Sequence, residues 1–195
     1  WFSNERYSGR SRTSSIDKVY SFELRTKFCV LSFEPNDIFK SALINLEKEL
    51  IRKGFKVKIK PHTAVFDRFG ESVIYLDNTS SHAYGSSLMS EKKVNFKGRL
   101  HALGKEQHVN LVDLAKLLKA IPKAVEVVVK MDIEGSEYDI LRSLISSGIA
   151  CRINTLIIEY HFHKLRKGSV PAGVNEVLEW LLTGSNCGVR VIHDD

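Results

Sequence analysis

Two carboxylates stand at the end of an apolar run, where a buried strand leaves the core. Residues 127–131 read VVVKM, and Asp132 and Glu134 follow directly, with Gly135 after them. Removing a carboxylate from water without giving it a partner is energetically costly. A core strand that ends in two of them therefore indicates a site where they meet a ligand, a proton or an opposite charge.

Two other predicted strands also end in polar residues. Residues 34–36 read EPN, and residues 159–161 read EYH. Ligands of open α/β sheets bind at the carboxyl ends of the strands. Strand periodicity places Asp132 and Glu134 on one side of their strand, and it places Glu159 and His161 together in the same way. If these strands are neighbours, we expect their polar side chains to converge on one rim.

Each of these side chains has a chemical role and a structural alternative. Glu34 can accept two ribose hydroxyls, as an acidic residue at a strand end does in nucleotide-binding folds. His161 is either a pocket residue that takes a proton or a histidine satisfied within the fold. Asp132 is the other candidate base, or an ion-pair partner of Lys130. Glu134 also suits the positive N-terminus of the helix that follows.

The grouping of Asp, Glu and His leaves a metal site open as an alternative. Carboxylate and imidazole suit several divalent ions, and two carboxylates with one histidine would make an open catalytic site, as in a metal-dependent hydrolase. The spacing of Asp132, Glu134 and His161 matches no specific metal motif. We therefore expect no metal, and we keep the hydrolase as a competing hypothesis.

Strands that alternate with helices predict an α/β fold with a largely parallel, doubly wound sheet. The chain has no internal repeat, so we expect an irregular polar tail over 1–15 and a single domain over 16–195. Strands are predicted at 27–37 (ended by Pro35), 55–59, about 72–77, 125–133, 154–161 and 188–195, with a hairpin within 92–109. Helices are predicted at 16–25, from Asp37 to Gly54, from Asn110 to Pro122, from Ser136 to Gly148, and around 174–181.

Composition excludes some classes of protein and favours others. The 195 residues carry a formal net charge of +6, but the basic residues are scattered, so we expect no specific nucleic-acid binding. No apolar run approaches the ~18 residues that a membrane span needs, and the first residues contain no apolar segment typical of a signal peptide. The composition therefore predicts a soluble globular protein, without indicating its oligomeric state.

The three cysteines, Cys29, Cys151 and Cys187, are far apart and odd in number. Cys29 lies in an apolar run, which favours a buried, reduced thiol. Nothing in the spacing requires a disulfide or suggests zinc. These features favour a reducing compartment, the cytoplasm being preferred.

The segment KMDIEGSEYDIL at 130–141, followed by LIIEYH at 156–161, resembles the FkbM-type family of S-adenosylmethionine-dependent methyltransferases. Three further segments occur in the same order as in that family: VLSFEPND, HTAVFDRFGES and GSSL. The resemblance covers roughly residues 27–165. It implies a Rossmann-like class I sheet, mostly parallel with helices on both faces, and S-adenosylmethionine as the cofactor.

The resemblance also implies roles for the cofactor-binding residues. Glu34 would hold the ribose of the cofactor, within a segment that includes Pro35 and Asn36. The segment around Ala64, Val65 and Asp67 would lie near the adenine.

In the same family pattern, the K-x-D-x-E-G segment would place Asp132 beside the transferred methyl group, in contact with both cofactor and acceptor. Asp132 and His161 are the two candidate catalytic bases. Glu134 and Glu159 are then predicted to bind the acceptor, a hydroxyl group of a small molecule or glycan, with a nitrogen acceptor as second choice.

One family feature is missing from the sequence. Such methyltransferases open with a strand and a glycine-rich turn, typically D-x-G-A-N-x-G, since only glycine permits the close approach of backbone to cofactor. This chain offers only NERYSGRSRTSSI, with Gly9 alone. We therefore expect an N-terminally incomplete methyltransferase sheet. The alternative is a non-catalytic remnant of such a domain that serves as an interaction module.

Overall fold

The computed structural model describes residues 20–79, 85–90, 92–96, 99–161, 172–184 and 187–194. The strands in these ranges are Cys29–Glu34 (β1), Lys56–Pro61 (β2), Thr63–Phe66 (β3), Gly70–Tyr75 (β4), Lys93–Phe96 (β5), Arg99–Ala102 (β6), Glu106–Asp113 (β7), Val128–Met131 (β8), Thr155–Ile158 (β9) and Arg190–His193 (β10). The α-helices are Phe22–Arg25 (α1), Lys40–Arg52 (α2), Leu114–Ala120 (α3), Glu137–Ser146 (α4) and Val174–Thr183 (α5). Two 3₁₀ turns lie at Asp37–Phe39 and Ala150–Arg152. The predicted tail and Gly9 lie outside the described ranges.

Five strands form two parallel sheets. β1 pairs with β2, so that Glu34 lies opposite Pro61. β8, β9 and β10 form the second sheet, in the order β10-β9-β8, with Met131 opposite Ile158. The Glu159 N–H donates to the Met131 carbonyl at 3.0 Å, which extends this pairing by one step. The residues that follow β8 and β9 therefore leave the sheet side by side.

The remaining strands are partly antiparallel. β7 lies between β3, to which it is parallel, and β4, to which it is antiparallel. β5 and β6 form the antiparallel hairpin that was predicted within 92–109. The α/β class is confirmed, but the described strands do not form a single, mostly parallel sheet. Residues 67–69 connect β3 to β4, and so short a connection reverses the chain rather than carrying it across to a parallel neighbour.

Two of the three apolar cores in the described ranges pack helices against the parallel strands. The larger one packs α4 and α5 against β8 and β9, and Leu141, Leu156 and Leu182 have no exposed surface. The smaller one lies between α2 and the β1–β2 pair. In β2, Val57 and Ile59 are buried while the intervening lysines are exposed, as the alternating sequence predicts. The predicted apolar face of α4 packs on the larger core, whereas in α2 Leu43, Leu46 and Leu50 pack on the smaller core and the predicted positions Ile38 and Ala42 are exposed.

The predicted helix start at Asn110 is wrong. Asn110 lies in β7, whose alternate residues Val109 and Leu111 are buried at strand spacing. The helix N-cap is Asp113, whose carboxylate accepts from the Lys116 N–H at 3.0 Å. An Asn-x-x-Asp spacing resembles a capping pattern, but here only its second residue caps.

The cysteine predictions are also corrected. Cys29 is exposed, because it starts the short β1 strand and does not point into the core. Cys151 and Cys187 form a disulfide that joins the Ala150–Arg152 turn to the segment before β10. A disulfide is typical of oxidising compartments, so this pair gives the predicted reducing compartment no support. No helix within the described ranges is long and apolar enough to cross a membrane.

Candidate active site

A cavity of about 420 Å³ lies at the carboxyl ends of β1, β8 and β9, against β3. Its volume falls in the range typical of cofactor and ligand pockets. The site residues predicted from the sequence that line it are Glu34, Pro35, Asn36, Ala64, Val65, Asp132, Glu134 and Glu159. His161 is the predicted site residue that does not line it.

Glu34 ends β1 and faces the cavity with an unusual protonation equilibrium. Burial, with a smaller contribution from the charge of Asp132, raises its pKa to about 7, although the Asn36 N–H lowers it by donating to Oε1 at 2.8 Å. A carboxyl group poised near neutrality accepts hydrogen bonds once it ionises. Glu34 is therefore suited to receive hydroxyl groups from a molecule in the cavity.

The segment after Glu34 is fixed by a residue that the sequence analysis did not single out. Gln107, on β7, donates to the Pro35 carbonyl at 2.7 Å and accepts from the Asp37 N–H at 3.1 Å. The Asn36 side chain is buried and caps the following 3₁₀ turn by accepting from the Ile38 N–H at 3.1 Å. Pro35 and Asn36 thus shape the wall beside Glu34.

Glu134 and Gly135 form a tight turn out of β8. Their φ angles are 56° and 114°, and a left-handed residue other than glycine costs on the order of 1–3 kcal/mol. Ser87 donates its hydroxyl to the Glu134 carbonyl at 2.6 Å, and the Lys92 ammonium contacts the Glu134 carboxylate. Lys92 is fully buried and also donates to the Gly85 carbonyl at 2.9 Å. Ser87 and Lys92 therefore hold Glu134 in its strained conformation.

Glu137, rather than Glu134, occupies the N-terminus of α4. Its fully buried carboxylate accepts from the Gly135 N–H at 3.1 and 3.2 Å and from the Ile133 N–H at 3.3 Å. The same carboxylate lies 2.9 Å from Nδ1 of His161. The sequence analysis missed Glu137, and the available signal was its place at the first helical position after a Ser that makes no cap hydrogen bond.

His161 links this buried carboxylate to those at the cavity. The side chain is 1% exposed, and its Nε2 lies 3.1 Å from Glu159, 3.6 Å from Glu134 and 3.8 Å from Asp132. Both ring nitrogens therefore face carboxylate oxygens. Because the ring is buried behind these groups, His161 acts on the cavity through them, and its role as catalytic base stays a prediction.

Asp132 shares with Glu159 the greatest exposure among the carboxylates of this group. It is 41% exposed, close to the 40% of Glu159. Burial of part of the side chain raises its pKa, as does the charge of Glu159, while His161 and Lys130 lower it. The Lys130 ammonium forms its ion pair with Asp194, so Asp132 is not held as the partner of that lysine.

Ser136 carries an unsatisfied hydroxyl at the same cavity. The residue is 1% exposed, and its Oγ has no hydrogen-bond partner among the described residues. It is the N-cap of α4, as predicted, but its side chain makes no capping hydrogen bond. A buried hydroxyl without a partner costs about 1–3 kcal/mol, so Ser136 indicates a missing polar partner at this wall.

The sequence of the whole chain decides the family. Residues 9–191 match the model of the methyltransferase FkbM domain. The chain belongs to the FkbM methyltransferase family. A comparison with curated proteins and another with solved structures gave no significant match. Membership in the FkbM family supports methyl transfer as the general activity and implies a methyl donor.

Proposed function

We propose that this FkbM-family chain transfers a methyl group from S-adenosylmethionine to a hydroxyl oxygen of a small molecule or glycan. One observation carries the proposal. Glu34 and Asp132, which the family pattern assigns to the cofactor's ribose and to the transferred methyl group, end different strands and line the same cavity. A single pocket can therefore hold donor and acceptor together.

The residues on the donor side fit the cofactor. Glu34 would accept the two ribose hydroxyls when ionised, beside the wall made by Pro35 and Asn36. Ala64 is buried and lines the cavity with Val65, giving an apolar surface suited to an adenine ring. The unsatisfied Ser136 hydroxyl is a further polar group that a bound molecule could satisfy.

S-adenosylmethionine supplies an electrophilic methyl group on a positively charged sulfonium. The protein residues would then hold the acceptor in line and provide for its proton. Asp132 is the exposed carboxylate at this point, and its negative charge would also favour a cation bound nearby. His161, fixed between Glu137 and Glu159, would keep the carboxylates in place rather than meet the acceptor itself.

The acceptor side consists of carboxylates that accept hydrogen bonds. Asp132, Glu134 and Glu159 line the cavity together. Ionised carboxylates accept but do not donate, which suits an acceptor that presents hydroxyl groups, such as a sugar or a hydroxylated small molecule. We expect specificity to depend on this rim.

The direct test is methyl transfer from radiolabelled S-adenosylmethionine to a panel of hydroxylated small molecules and glycans. Matched compounds in which an amine replaces the hydroxyl serve as controls. We expect label on oxygen in at least one hydroxyl compound. Label on amines alone would contradict the oxygen acceptor. A folded chain that binds no donor and transfers no label would favour the non-catalytic remnant.

A further inference from the structure

Asp132, Glu134 and His161 offer ligand atoms at spacings that one metal ion can bridge. One ligand atom from each lies within 4.8 Å of the other two. Two atoms that are each about 2.1 Å from a common ion lie about 3–4 Å apart. The distances from His161 Nε2 to Glu134 and Asp132, 3.6 and 3.8 Å, fall within that range.

The second nitrogen of His161 is held as metal-binding histidines require. A histidine that ligates a metal through one nitrogen nearly always donates from the other to a carboxylate or carbonyl, which fixes the orientation of its ring. Here Nδ1 of His161 lies 2.9 Å from Glu137, and the backbone N–H groups of Ile133 and Gly135 fix that carboxylate in turn. Nε2 of His161 is hydrogen-bonded to Glu159 at 3.1 Å and has Glu134 and Asp132 close by, so an ion bound to Nε2 would replace the Glu159 contact.

The charge around the imidazole favours a cation. Four carboxylates lie within 3.8 Å of the His161 ring nitrogens: Asp132, Glu134, Glu137 and Glu159. Within the described ranges, the Lys92 ammonium contacts Glu134 and so offsets one of these charges. Like charges held this close repel one another unless a cation lies between them. A divalent ion would supply two positive charges where the carboxylates converge.

An independent observation indicates that this wall lacks a polar partner. Ser136 is 1% exposed and lines the same cavity as Asp132 and Glu134, and its Oγ has no hydrogen-bond partner in the described part of the chain. A buried hydroxyl of this kind needs a partner such as water, an ion or a ligand. An ion that carries bound waters or acceptor oxygens would bring such a partner to the cavity.

We infer that Asp132, Glu134 and His161 bind a divalent cation, of the magnesium or manganese class, and that this ion holds the acceptor oxygen. Oxygen-rich sites with one imidazole suit these ions. Two carboxylates would bind the ion while Glu159 remains at the rim. The assignment of the acceptor rests on the proposed methyl transfer, because a bound cation makes a coordinated hydroxyl more acidic. With Asp132 bound to the ion, Glu159 would take the hydroxyl proton, and the oxygen would bond to the methyl carbon as the bond from that carbon to the donor sulfur breaks.

The ion competes with a neighbouring ammonium. Lys92 contacts Oε2 of Glu134, the oxygen that faces His161. An ion at this position must share the oxygen with Lys92 or displace the ammonium. We therefore expect a reversibly bound ion rather than one held permanently.

The test is a titration of the metal-free full chain with manganese chloride. Binding is monitored by calorimetry and by the electron paramagnetic resonance signal of free Mn²⁺. We expect one saturable ion per chain. Asp132→Asn, at a half-exposed position, should fold normally and weaken binding at least tenfold. Glu137→Gln should weaken binding about 10- to 100-fold by releasing the His161 ring. Glu126→Gln, at an exposed position, is the matched control and should bind as the wild type does.

Absence of saturable binding by the folded wild type, or equal binding by Asp132→Asn, would overturn the inference. A parallel titration with S-adenosylmethionine in excess EDTA separates this result from the proposed function. Donor binding without Mn²⁺ binding would remove the metal site and leave methyl transfer standing. Mn²⁺ binding that depends on Asp132, without donor binding, would support the site and contradict the proposed methyl transfer.

Discussion

Two carboxylates at strand and helix ends, the half-buried Glu34 and the fully buried Glu137, differ in how far hydrogen bonds compensate their charge. Glu34 receives one backbone N–H, from Asn36, and its pKa is raised to about 7. Glu137 receives two backbone N–H groups and faces the His161 ring. Hydrogen bonds compensate the energetic cost of burying a charge. Glu34 has fewer of them than Glu137, so Glu34 is the carboxylate that remains available to a ligand. Glu137 instead positions its neighbours.

The same contrast separates the two sides of the cavity. On the donor side, the wall beside Glu34 is held by a few contacts from Gln107 and Asn36. On the acceptor side, Glu134 and Asp132 belong to a dense network that extends through His161 to Glu137. The donor side should therefore tolerate substitutions with little loss of stability. The buried pair behind the acceptor side, Glu137 and His161, should not.

The largest effect is expected on catalysis at Asp132. Asp132→Asn keeps the shape of the side chain but removes its charge, so methyl transfer should fall about 10²- to 10⁴-fold. Initial rates with a saturating acceptor measure this loss, and the midpoint of thermal unfolding shows whether the variant is folded. A well-folded Asp132→Asn variant with full turnover would exclude Asp132 from the chemistry.

Substitution of Glu137 should have the largest effect on stability. Glu137→Ala leaves the Gly135 and Ile133 N–H groups and the His161 ring without their buried partner, and we expect a loss of about 3 kcal/mol. Urea unfolding measures it, with Glu126→Ala as the exposed control, which should change stability by less than about 0.5 kcal/mol. A similarly small change at Glu137 would mean that the network is not structural.

Glu34 should make stability depend on pH in the opposite sense to an ion-paired carboxylate. Its pKa is raised from 4.5 to about 7 on folding, so the folded chain holds the proton more tightly between these values. The contribution of Glu34 to the free energy of unfolding is therefore fully present below about pH 4.5 and is lost as the pH rises to about 7. The loss is at most about 3 kcal/mol. The difference in unfolding free energy between wild type and Glu34→Gln, measured from pH 4 to 8, isolates this contribution. An equal pH dependence in both chains would contradict the raised pKa.

The smallest effect is expected at Gln107, which supports the donor side from β7. Gln107→Ala removes two hydrogen bonds to the 35–37 segment, so affinity for S-adenosylmethionine should fall several-fold while stability falls by about 1 kcal/mol. His108→Ala, at the exposed neighbouring position, is the control. If Gln107→Ala lost as much stability as Glu137→Ala, the two sides of the cavity would not differ as described.

The sequence sufficed for features that depend on local pattern. Apolar runs that end in polar residues located Glu34, Asp132 and Glu159 at the ends of β1, β8 and β9, because strand direction and the position of ligands in α/β folds are general rules. The amphipathic spacing of α2 and α4 was equally readable.

Features that depend on partners distant along the chain could not be predicted. Lys92 meets Glu134 across 42 residues, and Cys151 meets Cys187 across 36, and no local pattern specifies either pair. The hydrogen bonds of Glu137 arise only once β8 and β9 are paired and His161 is brought against α4. The antiparallel pairing of β4 with β7 similarly depends on tertiary contacts rather than on the residues of either strand.

The most direct test of the donor site is calorimetric titration of the purified chain with S-adenosylmethionine, using wild type, Glu34→Ala and the exposed control Glu71→Ala in excess EDTA. We expect the wild type and Glu71→Ala to bind one molecule of S-adenosylmethionine with equal affinity. The affinity of Glu34→Ala should be at least tenfold lower. Equal binding by all three chains would place the donor elsewhere. No binding by a folded wild type would contradict the proposed methyl transfer by this chain.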